Sequence, residues 1–263
     1  MMNVIDEKNN ISLSEFIRYT DKDILELTKI NENCSIEKYK VEKLEYVKIY
    51  NLFLYPEDLK KFLCKFPCED RFLSLSETGS ELTSSAPGFQ QTFDKHYFRK
   101  ISEFISKVMQ ENNLSQHYWA VPSWEYYSNC MYSGMKSYQK NNLPHVDPFD
   151  YACNMYLSNI ENTGTTFFTF IGDEHEYYDV KELHRRSKKD HNLFLKQVFE
   201  NSMDKDFVDW KTFDGNSRYR KYHIIDAEYN SASIYKGCYW HSIRFDSQIK
   251  NQIRYSLVGS VKK

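Results

Sequence analysis

The sequence predicts an α+β protein: a jelly-roll core of short antiparallel strands with a mostly helical N-terminal flank and a helical insertion. Three observations predict it. The chain's texture changes at His117, from apolar residues at helical spacing to aromatic, β-prone runs separated by Gly, Pro and Asn turns. Second, 263 residues with a hydrophobic fraction of 41%, including 21 Tyr and 18 Phe, suffice for one large core. Third, the charged stretch 173–222 interrupts the strand pattern. Residues 1–116 are therefore read as a helical support packed on a core of residues 117–263, the whole forming one compact unit.

In order, 11–30 has helical spacing at Phe16, Ile17, Ile24, Leu25 and Leu27, with Ser12 or Ser14 as cap. Residues 35–50 read as a strand or a short helix. Pro56 followed by Glu57 and Asp58 marks a helix start, because proline suits the first turn and carboxylates favour the positive end of the helix. Residues 78–91 are rich in Ser, Thr, Gly and Pro and read as a loop. A helix follows over 94–112, through Phe98, Ile101, Ile105 and Val108, with Asp94 as its cap. Strands are expected at 118–132, 152–157, 165–171, 222–225, 231–235 and 252–261. Within the insertion, 190–203 has a helical pattern flanked by the basic runs 184–189 and 218–221. It is either a rim or lid over the core or a solvated excursion.

Charge and cysteine content remove several function classes. With 35 basic and 37 acidic residues the net charge is −2, so a mainly electrostatic grip on nucleic acid is disfavoured. Six scattered cysteines are too few for a disulfide scaffold, and Cys64 and Cys68 lack the second pair a structural zinc needs. The polar opening, 1–10, and the lack of an apolar run of about 20 residues predict a soluble cytoplasmic protein with no membrane partner.

The candidate chemistry centres on His145-Val146-Asp147. In an extended segment residues two apart share a face, so this imidazole and carboxylate can hold one metal ion from the same side. His241 is the best third ligand, with His223 as its competitor. Two histidines and one carboxylate, with open positions opposite, describe the facial triad of non-haem Fe(II) oxygenases. Thirteen residues beyond His241, Arg254 and Ser256 fall on one face of the last strand. A guanidinium and a hydroxyl together suit the far carboxylate of a 2-oxo diacid. Arg244 is a rival anchor, although its odd spacing sets it on the other face. Asn154 and Tyr156 are candidates for the pocket wall.

On these residues the segment 131–256 resembles the catalytic core of the Fe(II)- and 2-oxoglutarate-dependent dioxygenases. In texture it is most similar to the prolyl-hydroxylase-like branch: His145-Val146-Asp147, then Tyr156-Leu157-Ser158-Asn159, then Gly164-Thr165-Thr166-Phe167. Met131-Tyr132-Ser133-Gly134 is similar to the turn before the family's first ligand, which implies that Tyr132 touches the co-substrate. The sequence departs from the pattern in lacking the second glycine beside Gly164 and in the long interval from His241 to Arg254. The resemblance implies a double-stranded β-helix, with His145, Asp147 and His241 as catalytic iron ligands. Fe(II), 2-oxoglutarate and O2 would be the cofactor and co-substrates, and hydroxylation would release succinate and CO2. The substrate class it implies is a protein or peptide side chain, or a small molecule. A cupin-like metal hydrolase and a non-catalytic jelly-roll binding module stay open as alternatives.

Overall fold

Two antiparallel sheets carry the described chain. The computed structural model describes residues 21–64, 69–70, 89–94, 98–114, 123–130, 144–147, 149–170, 219–245 and 253–261. In order these form α1 (Asp21–Leu27), β1 (Ser35–Val41), β2 (Leu44–Tyr50), α2 (Pro56–Leu63), β3 (Glu69–Asp70), β4 (Phe89–Asp94) and α3 (Arg99–Glu111). Then follow β5 (Ser123–Cys130), β6 (Tyr151–Tyr156), β7 (Thr163–Phe170), β8 (Tyr219–Asp226), β9 (Ser231–Lys236), β10 (Trp240–Phe245) and β11 (Ile253–Val261). The large sheet has the order β1-β2-β9-β6-β11-β5-β4-β3, and the small one β10-β7-β8. An isolated bridge between His145 and His241 adds the segment before β6 to the free edge of β10.

Alternation along the strands separates two faces of the large sheet, as a period of two requires. Cys153 and Met155 of β6, Ala232 and Ile234 of β9, and Leu257 and Val261 of β11 join one apolar cluster with the helices. Leu59, Phe62 and Leu63 of α2 and Ile101, Ile105, Val108 and Met109 of α3 supply the helical side of it. Pro56 opens α2 with Glu57 and Asp58 in its first turn, as the sequence predicts. α3 ends at Glu111, and two residues on Asn113 takes the left-handed conformation at φ 54°. There Leu114 N–H donates to the Met109 carbonyl at 2.9 Å and satisfies a terminal acceptor. The other face of the large sheet looks toward the small sheet, and Tyr46, Ala152, Phe167, Ile225 and Tyr235 meet between them.

The fold departs from the sequence reading in three places. Residues 1–116 are not mostly helical where described, because β1 to β4 supply half of the large sheet's strands. Of the two readings of 35–50 the strand holds, as a hairpin paired from Ser35–Tyr50 to Val41–Leu44. Its outer strand is an edge carrying Glu37, Lys38 and Lys40, a charged pattern that masks strand periodicity while protecting the edge. Phe89–Gln91 belong to β4 rather than a loop, Asp94 closes that strand, and Phe98 is the residue that precedes α3. The basic run ending at Lys221 is cut short as well, since Tyr219–Lys221 open β8. The helical pattern at 190–203 lies outside the described residues. Among the described residues no helix is long and apolar enough to cross a membrane.

Asn230 ties the N-terminal segment to the core. At φ 55° it bends the chain between β8 and β9. Its side-chain oxygen accepts from Phe53 N–H at 2.9 Å and its amide donates to the Phe53 carbonyl at 3.0 Å. Its backbone carbonyl accepts from Leu52 N–H, and its own N–H donates to the Tyr156 carbonyl, both at 2.9 Å. Asn230→Ala strands two buried backbone groups of Phe53 in a left-handed turn that asparagine tolerates better than alanine. Urea unfolding should show a loss of about 1–3 kcal/mol, read as a lower midpoint at unchanged slope. An unmoved midpoint would mean that the 51–54 segment is held by other contacts.

Candidate metal centre

Two backbone pairings bring the distant parts of the site together. His145 N–H donates to the His241 carbonyl and His241 N–H donates back to the His145 carbonyl, each at 2.9 Å. Two residues on, Asp147 N–H donates to the Gly237 carbonyl at 2.9 Å, and Gly237 N–H donates to the Asp150 carbonyl at 3.0 Å. Residues 145–150 are thereby fastened along the β9–β10 turn and the first residue pair of β10. Gly237 is needed for this approach: a Cβ there would lie 2.3 Å from the Phe149 carbonyl oxygen and 3.2 Å from the Asp147 Cβ. At the far end of the neighbouring strand, Gly164 holds φ 150°, and a Cβ there would lie 2.1 Å from the Ile225 carbonyl oxygen. The turn into Gly164 is entered through Thr163, whose hydroxyl donates to the Ile160 carbonyl at 3.0 Å.

The side chains of His145, Asp147 and His241 converge, with one ligand atom from each lying within 4.8 Å of the others. His241 Nε2 is 3.3 Å from Asp147 Oδ2, and His145 Nε2 is 3.9 Å from Asp147 Oδ1. The imidazoles lie 4.6 Å apart between ring centres. His241 is buried, whereas the side chains of His145 and Asp147 are 23% and 25% exposed, so the cluster is reached from their side.

The donor set fits a divalent cation, and His241 shows why. Its Nδ1 donates to the Tyr239 carbonyl at 2.9 Å, which leaves the Nε2 lone pair aimed at the Asp147 carboxylate. Two electron-rich atoms facing each other at 3.3 Å need a proton or a metal ion between them. Burial lowers the His241 pKa, but the Asp147 charge, the contact with its carboxylate and the Tyr239 carbonyl together raise it above its ordinary value. The same local field that attracts a proton attracts a cation. His223, the competing ligand of the sequence reading, lies two strands from His241 on β8. Its Nε2 is 3.2 Å from the Tyr46 hydroxyl, and it contributes nothing to the cluster.

Arg254 and Ser256 are buried, 4% and 2% exposed, on the strand face that looks into the sandwich. The Arg254 guanidinium lies 5.2 Å over the Tyr156 ring. Burial lowers its pKa while the phenols of Tyr156 and Tyr235 raise it, and an arginine stays charged throughout. Ser158 fixes its strand: the Ser158 hydroxyl oxygen accepts from Tyr255 N–H at 2.6 Å, and Leu157 N–H donates to the Tyr255 carbonyl at 3.0 Å. Arg244 is turned elsewhere. Its guanidinium donates to Asp226 Oδ1 at 2.6 Å and to Asn162 Oδ1 at 3.3 Å, on the opposite face of β10 from His241.

Asn154 and Tyr156 share the inner face with Arg254. Asn154 Nδ2 donates to the Tyr235 hydroxyl at 2.9 Å, and the Tyr156 hydroxyl lies 3.2 Å from Ser233 Oγ and 3.3 Å from Thr165 Oγ1. Sequence reasoning assigned no role in the site to Tyr235, Ser233, Thr165 or Phe167, the last two being quoted only within the 164–167 motif. Tyr235 stacks edge-on against His241 at 5.2 Å between centres, and the Phe167 ring lies 6.1 Å from it. The alternation Ser231, Ser233, Tyr235 was the available signal, since these three residues fall on the same face as Asn154 once the strands are registered. Tyr132 lies outside the described residues, as do 246–252 between β10 and β11.

None of the curated proteins matches the sequence. Similar solved structures include an oxidoreductase of the 2OG-Fe(II) oxygenase family from Burkholderia pseudomallei, at 8% identity and a TM-score of 0.43, covering 82% of this chain and 84% of that one. Another is SnoN, a non-haem alpha-ketoglutarate-dependent epimerase of nogalamycin biosynthesis, at 12% identity and a TM-score of 0.43, covering 83% and 78%. The profile of a family of unknown function, DUF6445, matches residues 76–254, a span that takes in His145, Asp147, His241 and Arg254. This chain therefore belongs to the DUF6445 family.

Proposed function

We propose that this chain is an Fe(II)- and 2-oxoglutarate-dependent oxygenase that hydroxylates a protein or peptide side chain or a small molecule, with a site of the prolyl-hydroxylase-like kind. The observation that carries the reading is the convergence of two imidazoles and a carboxylate at 3.3 and 3.9 Å, on a sandwich whose inner face also buries a guanidinium. His145, Asp147 and His241 would hold Fe(II) from one side, and the Tyr239 carbonyl keeps the His241 tautomer that presents Nε2. Bound Fe(II) would supply O2 activation coupled to the oxidative decarboxylation of 2-oxoglutarate to succinate and CO2.

The remaining work belongs to the chain's own residues. Arg254 and Ser256 would bind the distal carboxylate of the diacid, the guanidinium through two parallel hydrogen bonds. Tyr156 braces the guanidinium from below, and its hydroxyl stays within the Thr165 and Ser233 network. Phe167 and Tyr235 keep bulk water from the buried side of His241. A hydrolase built on the same ligands has no use for a buried guanidinium beside them, which favours the oxygenase over the cupin-like alternative.

Adding Fe(II) and 2-oxoglutarate to the protein without oxygen should produce the weak visible band of an iron-chelated keto acid, and admitting air should release succinate. Iron binding with neither signal would overturn the reading. Asp147→Ala should weaken Fe(II) binding by about 100-fold or more, measured by equilibrium dialysis. Unchanged affinity would remove Asp147 from the ligand set. Arg254→Gln should instead leave Fe(II) affinity intact and raise the KM for 2-oxoglutarate by about 10–100-fold, as the loss of charge-assisted hydrogen bonds implies. An equal loss of iron in that variant would make Arg254 a support of the fold and not the anchor.

A further inference from the structure

Beside the candidate metal cluster, the inner face of the large sheet carries a row of tyrosines, of which Tyr39 and Tyr46 have no task in the chemistry described above. Tyr39, Tyr46 and Tyr235 sit directly opposite one another on β1, β2 and β9. Directly opposed residues on one sheet face are nearest neighbours. Tyr39 and Tyr46 stack with ring centres 5.0 Å apart and planes at 12°. Tyr235 meets His241 edge-on at 5.2 Å. A second route runs beside the first, from His241 through Phe167 at 6.1 Å and His223 at 6.5 Å to Tyr46 at 5.5 Å. The row leads from a buried candidate ligand to the edge strand of the sheet, where Tyr39 is partly exposed.

The two outer members each have a base at the phenol. The Tyr46 hydroxyl faces His223 Nε2 at 3.2 Å. Burial lowers the His223 pKa against the opposing pull of Asp226, which favours the neutral ring, and in the Nδ1-protonated tautomer Nε2 can take a proton. The Tyr39 hydroxyl donates to the Glu37 carboxylate and lies 2.9 Å from the Tyr50 hydroxyl. A phenol gives up an electron readily only when its proton has somewhere to go. Packing alone asks for rings at these positions and does not ask for a base at each outer hydroxyl.

We propose that Tyr235, Tyr46 and Tyr39 form a redox relay that carries an oxidising equivalent from the metal site to the sheet edge when turnover fails to reach a substrate. The relay rests on the iron-binding part of the proposed function. Each step moves one electron inward. Tyr46 passes an electron toward Tyr235 and the metal site, its proton goes to His223 Nε2, and a neutral phenoxyl radical remains. Tyr39 then refills Tyr46, which recovers its proton from His223, while the Tyr39 proton goes to Glu37. A one-electron reductant of the ascorbate or thiol class returns one electron to Tyr39, which recovers its proton from Glu37, and the reductant's own proton goes to solvent. Bound iron would supply the oxidant, and complete quenching to water would take two passages of the relay, that is two electrons from the tyrosines and two protons from solvent.

Two arms test this on the full-length, Fe(II)-loaded protein without added substrate. One arm supplies 2-oxoglutarate and O2; the other supplies hydrogen peroxide and no 2-oxoglutarate. Samples frozen during the reaction are read by electron paramagnetic resonance, with ring-deuterated tyrosine to identify phenoxyl signals, and by peptide mapping of oxidised residues. The expected result is a tyrosyl signal that Tyr39→Phe and Tyr46→Phe each reduce severalfold, with oxidation in Tyr46→Phe shifted to Tyr235 and the metal ligands. Tyr229→Phe, whose hydroxyl donates to Glu57 away from the row, should leave signal and damage unchanged. Bound iron with no tyrosyl signal in either arm, or a signal insensitive to Tyr46→Phe, overturns the relay alone. A signal with peroxide but none with 2-oxoglutarate and O2 keeps the relay and overturns the co-substrate reading. Failure to retain iron overturns both.

Discussion

The reciprocal hydrogen-bonded pair between His145 and His241 is the constraint on which the site depends. Residues 96 positions apart in the sequence become direct neighbours across an antiparallel bridge, and their side chains then leave the backbone on the same side. Asp147 follows two residues later and is held against the β9–β10 turn at Gly237. The candidate ligand cluster is thus a property of backbone pairing first and of side-chain chemistry second. Gly237 belongs to it as much as the ligands do, because a larger residue would push residues 147–149 away from the turn.

The large sheet divides its labour between its faces. One face meets α2 and α3 through an apolar cluster that includes Met155, Ile234 and Leu257. The other presents Asn154, Tyr156, Ser233, Tyr235, Arg254 and Ser256, nearly all fully buried. Buried hydroxyls and a buried guanidinium are costly unless hydrogen-bonded or engaged by an opposite charge. Their concentration on one face, beside a cluster of metal-ligand type, separates a working interior from a structural one. The mutual bonds among Asn154, Tyr235, Tyr156, Thr165 and Ser233 hold that interior in one arrangement.

The electrostatics of the two halves are complementary. Around His241 the field of Asp147 favours positive charge, while around Arg254 the protein supplies the positive charge itself and removes it from water. A ligand suited to both ends would chelate a cation at one end and carry an anion at the other. The proposed 2-oxo diacid is a ligand of that kind.

What the sequence determined alone was local. His145 and Asp147 are two residues apart, so an extended backbone puts them on one face wherever the chain goes. Arg254 and Ser256 share a face for the same reason, and the odd spacing of Arg244 turned it outward to Asp226. Pro56 with its acidic neighbours marked α2, and aromatic alternation marked β6, β7, β9 and β11. Tertiary structure decided the rest, because the forces involved act between segments far apart. β1 is a polar edge strand whose identity comes from pairing with β2, and β4, which sequence reasoning assigned partly to a loop, is a strand through its pairing with β5 and β3. The choice of His241 over His223 followed from which strand borders the 145–147 segment, and Tyr46 reached Tyr235 only through cross-sheet register. Spacing fixes a residue's face, but only long-range pairing fixes its neighbour.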